Sequence, residues 1–178
     1  RTAIPQIYGN LTGLKASHLK AIDRIYSRRV GASHLITPEL ARYMTSLSRE
    51  IRRQLGVIIN RKGVPIAVIV GDEKEIVIPA LPDYPLGRKR LRGLRCVHTH
   101  LKDEPLTPDD LTDLALLRLD IMAAIVADET GLPGKIHAAH LVPYNLEGKT
   151  YEVMESVPFH GLDLDFDSFI SALEDEMC

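Results

Sequence analysis

The feature that most constrains this chain is an apolar run over 94–97 that ends on two histidines, Val97-His98-Thr99-His100, followed after a short loop by Thr107-Pro108-Asp109-Asp110-Leu111. A short apolar run reads as a buried strand, and side chains two apart on a strand point to the same side of it. A helix is expected to start directly afterwards. Thr107 is a good N-cap, Pro108 suits the first helical position, and the acid three residues after the threonine completes a capping-box-like start. Two imidazoles at a strand end thus face carboxylates in the first turn of the next helix. That set suits a divalent metal. It equally suits helix capping beside two polar strand-end histidines, and at this level both readings stand.

The rest of the chain bounds what could surround such a motif. Its 178 residues, 45% hydrophobic and 26% charged, fit one globular domain able to bury roughly two-thirds of its unfolded surface. No apolar run approaches the ~20 residues of a membrane span, so a cytoplasmic protein with no membrane span is expected. Two cysteines, Cys96 in the presumed core strand and Cys178 at the last position, make no disulfide framework and suit a reducing compartment. A net charge of −2 argues against bulk attraction to nucleic acid, yet Arg88, Lys89, Arg90, Arg92 and Arg95 form a dense basic cluster and the tail from Asp163 to Glu176 is acidic. The chain opens on Arg1 and ends on Cys178 without a structural finish, as expected of a piece of something longer.

Periodicity gives the remaining elements. Leu19, Ile22, Ile25 and Tyr26 predict a helix over 15–29; Thr37-Pro38-Glu39 opens a second one, with Leu40, Tyr43, Met44, Leu47 and Ile51 as its buried stripe and Arg49, Glu50, Arg52 and Arg53 on its exposed face. Residues 55–59 and 64–70 read as a hairpin about Asn60-Arg61-Lys62-Gly63, 75–79 as a third strand, and 79–93, with three prolines and the basic cluster, as a surface loop. Strands are then expected over 121–127, 135–142 and 151–157, and an acidic helix over 165–177. The expected fold is one α/β domain, a mixed and mostly antiparallel central sheet flanked by helices, with residues 1–36 as an N-terminal helical segment before a domain of residues 37–178.

For chemistry, His98 and His100 supply two ligands, and Asp110 is the best-placed third, with Asp109 and Asp113 as alternatives; zinc is the expected ion. A hydrolytic site would also need a general base, for which Glu50 is the one acid near the start of the hairpin. His18, His34, His137, His140 and His160 read as satisfied or solvated histidines, and Cys96 in a buried strand is a poor thiolate. No Ser-His-Asp or Cys-His arrangement emerges. Gly9-Asn10-Leu11-Thr12-Gly13-Leu14-Lys15 lacks the spacing of a phosphate-binding loop and reads as the approach to a helix N-terminus.

The element order and the histidine motif resemble the JAB/MPN metalloprotease fold, whose pattern is a Glu near the first core strand, then His-x-His, seven residues, Ser, two residues and Asp. His98 and His100 match the His-x-His, Thr107 stands in for the Ser, and Asp110 matches the Asp. There are two departures. Six residues, Leu101 to Leu106, precede Thr107, one short of the pattern, and Arg53 stands where the family's Glu is expected, ahead of Leu55-Gly56-Val57-Ile58-Ile59. The resemblance implies a metal site that has lost its proton carrier. The alternative is a divergent JAB/MPN-like zinc hydrolase of peptide or isopeptide bonds.

The stretches from Gly9 to Ser17 and from Val97 through Asp120 also resemble the N-terminal extension of long-form HflX GTP-binding proteins. That resemblance implies an accessory domain with no catalytic residue of its own, in a protein whose GTPase module, with its GTP and Mg, would follow Cys178 and which associates with the large ribosomal subunit. In that light Arg88, Lys89, Arg90, Arg92 and Arg95 are candidate contacts to rRNA phosphates. A solvated loop balancing the acidic tail is the plainer reading. A scaffold acting through self-association is a third role.

Overall fold

Short apolar segments rich in β-branched residues need partners along their edges and cover on their faces, and here both are supplied by one sheet and two helical layers. The computed structural model describes residues 6–31, 34–84, 90–141, 151–153 and 157–158. The strands are β1 (Ile7–Gly9), β2 (Leu55–Asn60), β3 (Pro65–Val70), β4 (Leu94–His100), β5 (Ile121–Ala127), β6 (Pro133–Leu141), β7 (Tyr151–Val153) and β8 (Val157–Pro158). They lie in the order β1-β3-β2-β4-β5-β6-β7, with β8 also on β6. β1 with β3 and β4 with β5 are parallel pairs; the others are antiparallel. This is the expected α/β domain with a mixed, mostly antiparallel sheet.

Three helices, α1 (Ala16–Asp23), α2 (Pro38–Ile51) and α3 (Pro108–Leu117), cover the sheet. In α2 the Thr37 hydroxyl accepts the Leu40 N–H at 3.2 Å, and the helix stops at Arg52, whose φ of 57° is costly for a non-glycine residue and turns the chain into β2. α1 is shorter than its periodicity predicts. It tightens into a 3-10 turn, Arg24–Ser27, whose spacing of three places both Ile22 and Ile25 in the core.

Alternation along the strands then divides the core. Val57, Ile59, Val97, Ala123 and Ile125 pack with Ile22, Ile25, Leu40, Met44 and Leu47 on one face. Ile58, Cys96, Met122, Ala124 and Ala139 pack with Leu114, Leu119, Ile76 and Leu81 on the other. Each of the larger of these buried side chains, such as Ile58 or Leu114, contributes on the order of 2 kcal/mol through the apolar area it removes from water. The parallel β4–β5 pair needs a crossover connection, and α3 provides it on the second face. The described residues before 37 also enter this domain: β1 pairs with β3, and α1 with the 3-10 turn packs into the first core.

Four expectations change. Residues 75–79 form no strand, because the edge of β3 they would need is taken by β1; Ile76 instead folds over the sheet and Val77 is left 69% exposed. The single strand expected over 151–157 is two short ones, β7 and β8, both on β6. Ile7–Gly9 was too short to register as a strand by periodicity. Arg95, grouped with the surface basic cluster, is 2% exposed within β4, where its guanidinium donates to the carbonyls of Leu35 at 3.0 Å, Asn60 at 2.9 Å and His34 at 3.0 Å. Burial lowers its pKa to about 10, partly opposed by Asp120, so it stays cationic at neutral pH and belongs to the core. The helix expected over 165–177 lies outside the described residues.

Candidate metal centre

The sequence places His98 and His100 on the second face of β4, in line with Cys96, and the first turn of α3 delivers Asp110 above them. His98 Nε2 lies 3.2 Å from Asp110 Oδ1, His100 Nε2 lies 3.2 Å from Asp110 Oδ2, and the two imidazole Nε2 atoms are 3.1 Å apart. Both rings are fully buried and Asp110 is 6% exposed. Asp109 and Asp113, the sequence alternatives, do not join this group.

Capping and ligation prove compatible. Asp110 N–H donates to Thr107 Oγ1 at 3.1 Å, and Asp110 Oδ2 accepts the Thr107 N–H at 3.0 Å, a complete capping box. The cap fixes the carboxylate's rotamer, so that Oδ1 and Oδ2 each meet one imidazole. It is an outer-shell support of the kind metal ligands commonly have.

Protonation shows why these three atoms call for a cation. His100 Nδ1–H donates to the Glu104 carbonyl at 3.1 Å, which leaves the Nε2 lone pair of a neutral ring facing both Asp110 Oδ2 and His98 Nε2. Burial disfavours a charged His100, but the Asp110 carboxylate and the Glu104 carbonyl outweigh it and raise its pKa. Burial likewise works against the Asp110 carboxylate, yet the hydrogen bonds with His100 and His98 and from the Thr107 backbone hold it well below the usual carboxylate range. An ionised carboxylate among lone pairs needs a positive charge between them, either a shared proton or a metal. The geometry fits a metal: a tetrahedral ion with bonds of about 2.0–2.1 Å sets its ligands about 3.3–3.4 Å apart, close to the spacing here. The group can hold a metal ion through His98, His100 and Asp110.

Around this cluster the face is closed. A Cβ on Gly56 would collide with Ile76 Cδ1 and come within 3.5 Å of His98 Cβ, so the missing side chain makes room for Ile76 on this face. Asp113, one turn further along α3, has its pKa raised to about 6 by burial and then by the like charges of Asp110 and Asp109. His137, opposite Ala124 in the row that also contains His98, is buried on the same face, and burial followed by the charge of His100 lowers its pKa. Burial, with the Asp110 and Asp113 charges, pushes the Cys96 thiol far up and favours its protonated form. Beyond His100, at the ends of β4 and β5, a cleft of about 550 Å³ is lined by Arg49, Leu101, Asp103, Asp128 and Lys135 among others. Arg49 is half-buried, donating to the carbonyls of Leu101 at 3.1 Å, Asp128 at 3.1 Å and Ala127.

Other candidates fall elsewhere. Glu50 lies on α2, across the sheet from the histidines, with its carboxylate 65% exposed and 3.8 Å from His18 Nε2, so it is not a base for this site. Arg53 donates to the carbonyls of Asn10 at 2.7 Å and Thr12, clamping the loop between Gly9 and Gly13. Arg90 and Arg92 are half-buried in the turn before β4, while Arg88 and Lys89 lie outside the described residues. Sequence reasoning missed Gln54. It is 1% exposed, and neither side-chain atom has a hydrogen-bond partner, a loss of about 1–3 kcal/mol for a buried amide. The residues alone give no signal for it: only the pairing of Gly56 with His98 shows that residue 54, two positions earlier, shares the histidine face. Compared with known proteins, the chain matches no family model and no curated protein.

Proposed function

We propose that this chain is a non-catalytic accessory domain of an HflX-like, ribosome-associated GTP-binding protein of the cytoplasm, built on a JAB/MPN-like sheet that keeps a zinc centre at His98, His100 and Asp110. The GTPase module and its GTP and Mg belong to the parent protein, and the domain's own role is binding or regulation. The observation that carries this reading is the fate of Arg53. It occupies the position where the hydrolase pattern has its acid, and its guanidinium grips the Asn10 and Thr12 carbonyls of the very loop that resembles the HflX extension. A cation committed to backbone carbonyls cannot take a proton from water, whereas the three metal-binding groups remain in register. Among the described residues no second carboxylate joins the cluster.

The role of the metal here is to fix α3 on β4, in the manner of structural zinc, which contributes directly to folding free energy. Contact with rRNA falls to Arg88, Lys89, Arg90 and Arg92, a cluster without interleaved aromatics and therefore suited to phosphates over bases. The test has two arms. Purified protein is expected to carry one equivalent of zinc that His98→Ala loses, with no cleavage of isopeptide-linked substrates. It is also expected to sediment with large ribosomal subunits in a salt-sensitive way that an Arg88→Ala, Lys89→Ala, Arg90→Ala variant loses. Zinc-dependent cleavage abolished by His98→Ala would establish the hydrolase instead, and salt-insensitive or absent sedimentation would remove the ribosomal role.

A further inference from the structure

On the histidine face, one buried polar side chain is explained neither by the fold nor by the three metal-binding residues. Gln54 immediately precedes β2, and its backbone N–H donates to the Asp72 carbonyl at 2.8 Å while its own carbonyl accepts the Gly71 N–H at 2.9 Å, so the main chain is anchored. The β2–β4 ladder ends where Gly56 opposes His98, and the Leu55 N–H donates to Thr99 Oγ1 at 2.9 Å; the same register carried on to residue 54 sets Gln54 across from His100. Directly opposed side chains of an antiparallel pair have Cβ atoms about 4.5–5.5 Å apart. Leu55 turns to the α2 side with Val57, so Gln54 turns to the other side with Gly56 and Ile58. Gln54 is thus on the face of the sheet that carries His98, His100 and Asp110, and its buried Oε1 and Nε2 are both unpartnered. A buried polar group in that condition points to an occupant such as a water or an ion-bound ligand.

We propose that Gln54 is a positioning residue of the metal centre: its carboxamide hydrogen-bonds the water, or other small oxygen ligand, held in the coordination position that His98, His100 and Asp110 leave open. This rests on the metal reading above. Three protein ligands leave a tetrahedral ion one position to fill. An amide offers one acceptor and two donors, so it can orient a water from either side. It is not basic enough to take the water's proton at neutral pH, as a carboxylate in its place could. The residue opposite His100 therefore selects a site that retains a neutral oxygen ligand and does not generate hydroxide by proton transfer. His98 Nδ1 is also buried and unpartnered on the same face.

The experiment uses the full chain with Gln54→Met, which keeps length and removes both polar atoms, and Gln54→Glu, which restores an oxygen. Zn²⁺ affinity is read by competition with a chromogenic chelator, coordination by the visible spectrum of the Co²⁺ form, and the fold by urea unfolding of chelator-treated protein. Gln54→Met is expected to weaken Zn²⁺ about 10–100-fold and alter the Co²⁺ bands, while the metal-free protein stays at least as stable as wild type because an orphaned amide has been removed. Gln54→Glu is expected to restore wild-type affinity or better. Equal Zn²⁺ affinity and identical Co²⁺ bands in wild type and Gln54→Met would overturn the proposal while leaving the metal centre standing. A metal-free Gln54→Met protein less stable than wild type would overturn it too, by making the amide structural. Wild-type protein that takes up neither ion removes the metal reading itself.

Discussion

Strand β4 carries polar residues on both faces, and the two sides treat them in opposite ways. Toward α2, Arg95 reaches three carbonyls, and Thr99 Oγ1 meets Ser48 Oγ at 2.7 Å and the Leu55 N–H, so each buried polar group is matched within the protein. Toward α3, His98 Nδ1 and both Gln54 amide atoms have no partner, and three ligand atoms face one another around Asp110. Satisfied buried polar groups hold a fold together; unsatisfied ones next to a ligand set mark where something else binds. Along β4, odd-numbered polar residues thus face partners within the protein, and even-numbered histidines face the group that can hold a metal ion.

The contrast is sharpened most by Arg95→Met. Removing the guanidinium leaves the buried Leu35 carbonyl without its donor and takes one from the half-buried Asn60 and the His34 carbonyls, Asn60 keeping the Gly63 N–H, and unfolding in urea is expected to show a loss of about 2–4 kcal/mol. Zinc stoichiometry should be unchanged in whatever protein remains folded. A variant with near wild-type stability would break the assignment of the α2 side as structural. Thr107→Ala comes next, because it touches cap and site together. Stability is expected to fall by about 0.5–2 kcal/mol from the lost cap, and zinc affinity by roughly 10-fold or more through a loosened Asp110. A stability loss with unchanged zinc affinity would show that the cap does not orient the ligand.

A smaller effect is expected of Asp113. Its pKa in the folded protein is raised to about 6, chiefly by burial and then by Asp110 and Asp109. A raised carboxyl contributes stability at acid pH, below its unfolded value, and loses that contribution as pH rises through about 6. Asp113→Asn should therefore raise the stability of chelator-treated protein above that pH, by less than about 1 kcal/mol after solvent screening of a half-buried group. No gain, or a gain confined to acid pH, would contradict the crowding of carboxylates on α3. The smallest effect belongs to Glu50→Gln. With its carboxylate on the far side of the sheet and open to solvent, stability and metal affinity should both stay within about 0.5 kcal/mol of wild type. A larger change in metal affinity would return Glu50 to the site.

Much of this was legible in the residues and some was not, for physical reasons. The capped starts at Thr37-Pro38 and Thr107-Pro108, the apolar strands and the His98–His100–Asp110 group follow from local rules of capping and alternation. What failed depended on neighbours. Residues 75–79 have strand composition but no vacant edge, since three residues of β1 occupy it. Arg95 looks like part of a basic run until the carbonyls of His34, Leu35 and Asn60 converge on it. Gln54 looks like a linker between α2 and β2, and its place beside His100 follows only once the register of β2 on β4 is known.

The claim at the centre is that His98, His100 and Asp110 jointly hold one metal ion, and a Co²⁺ titration of the chelator-treated 178-residue chain, followed in the visible region, addresses it directly. The account predicts tetrahedral bands that saturate at one equivalent, disappear with excess Zn²⁺, and fail to develop in His98→Ala, His100→Ala and Asp110→Ala. Bands that are absent from the wild type, or that persist unaltered in all three variants, would contradict it.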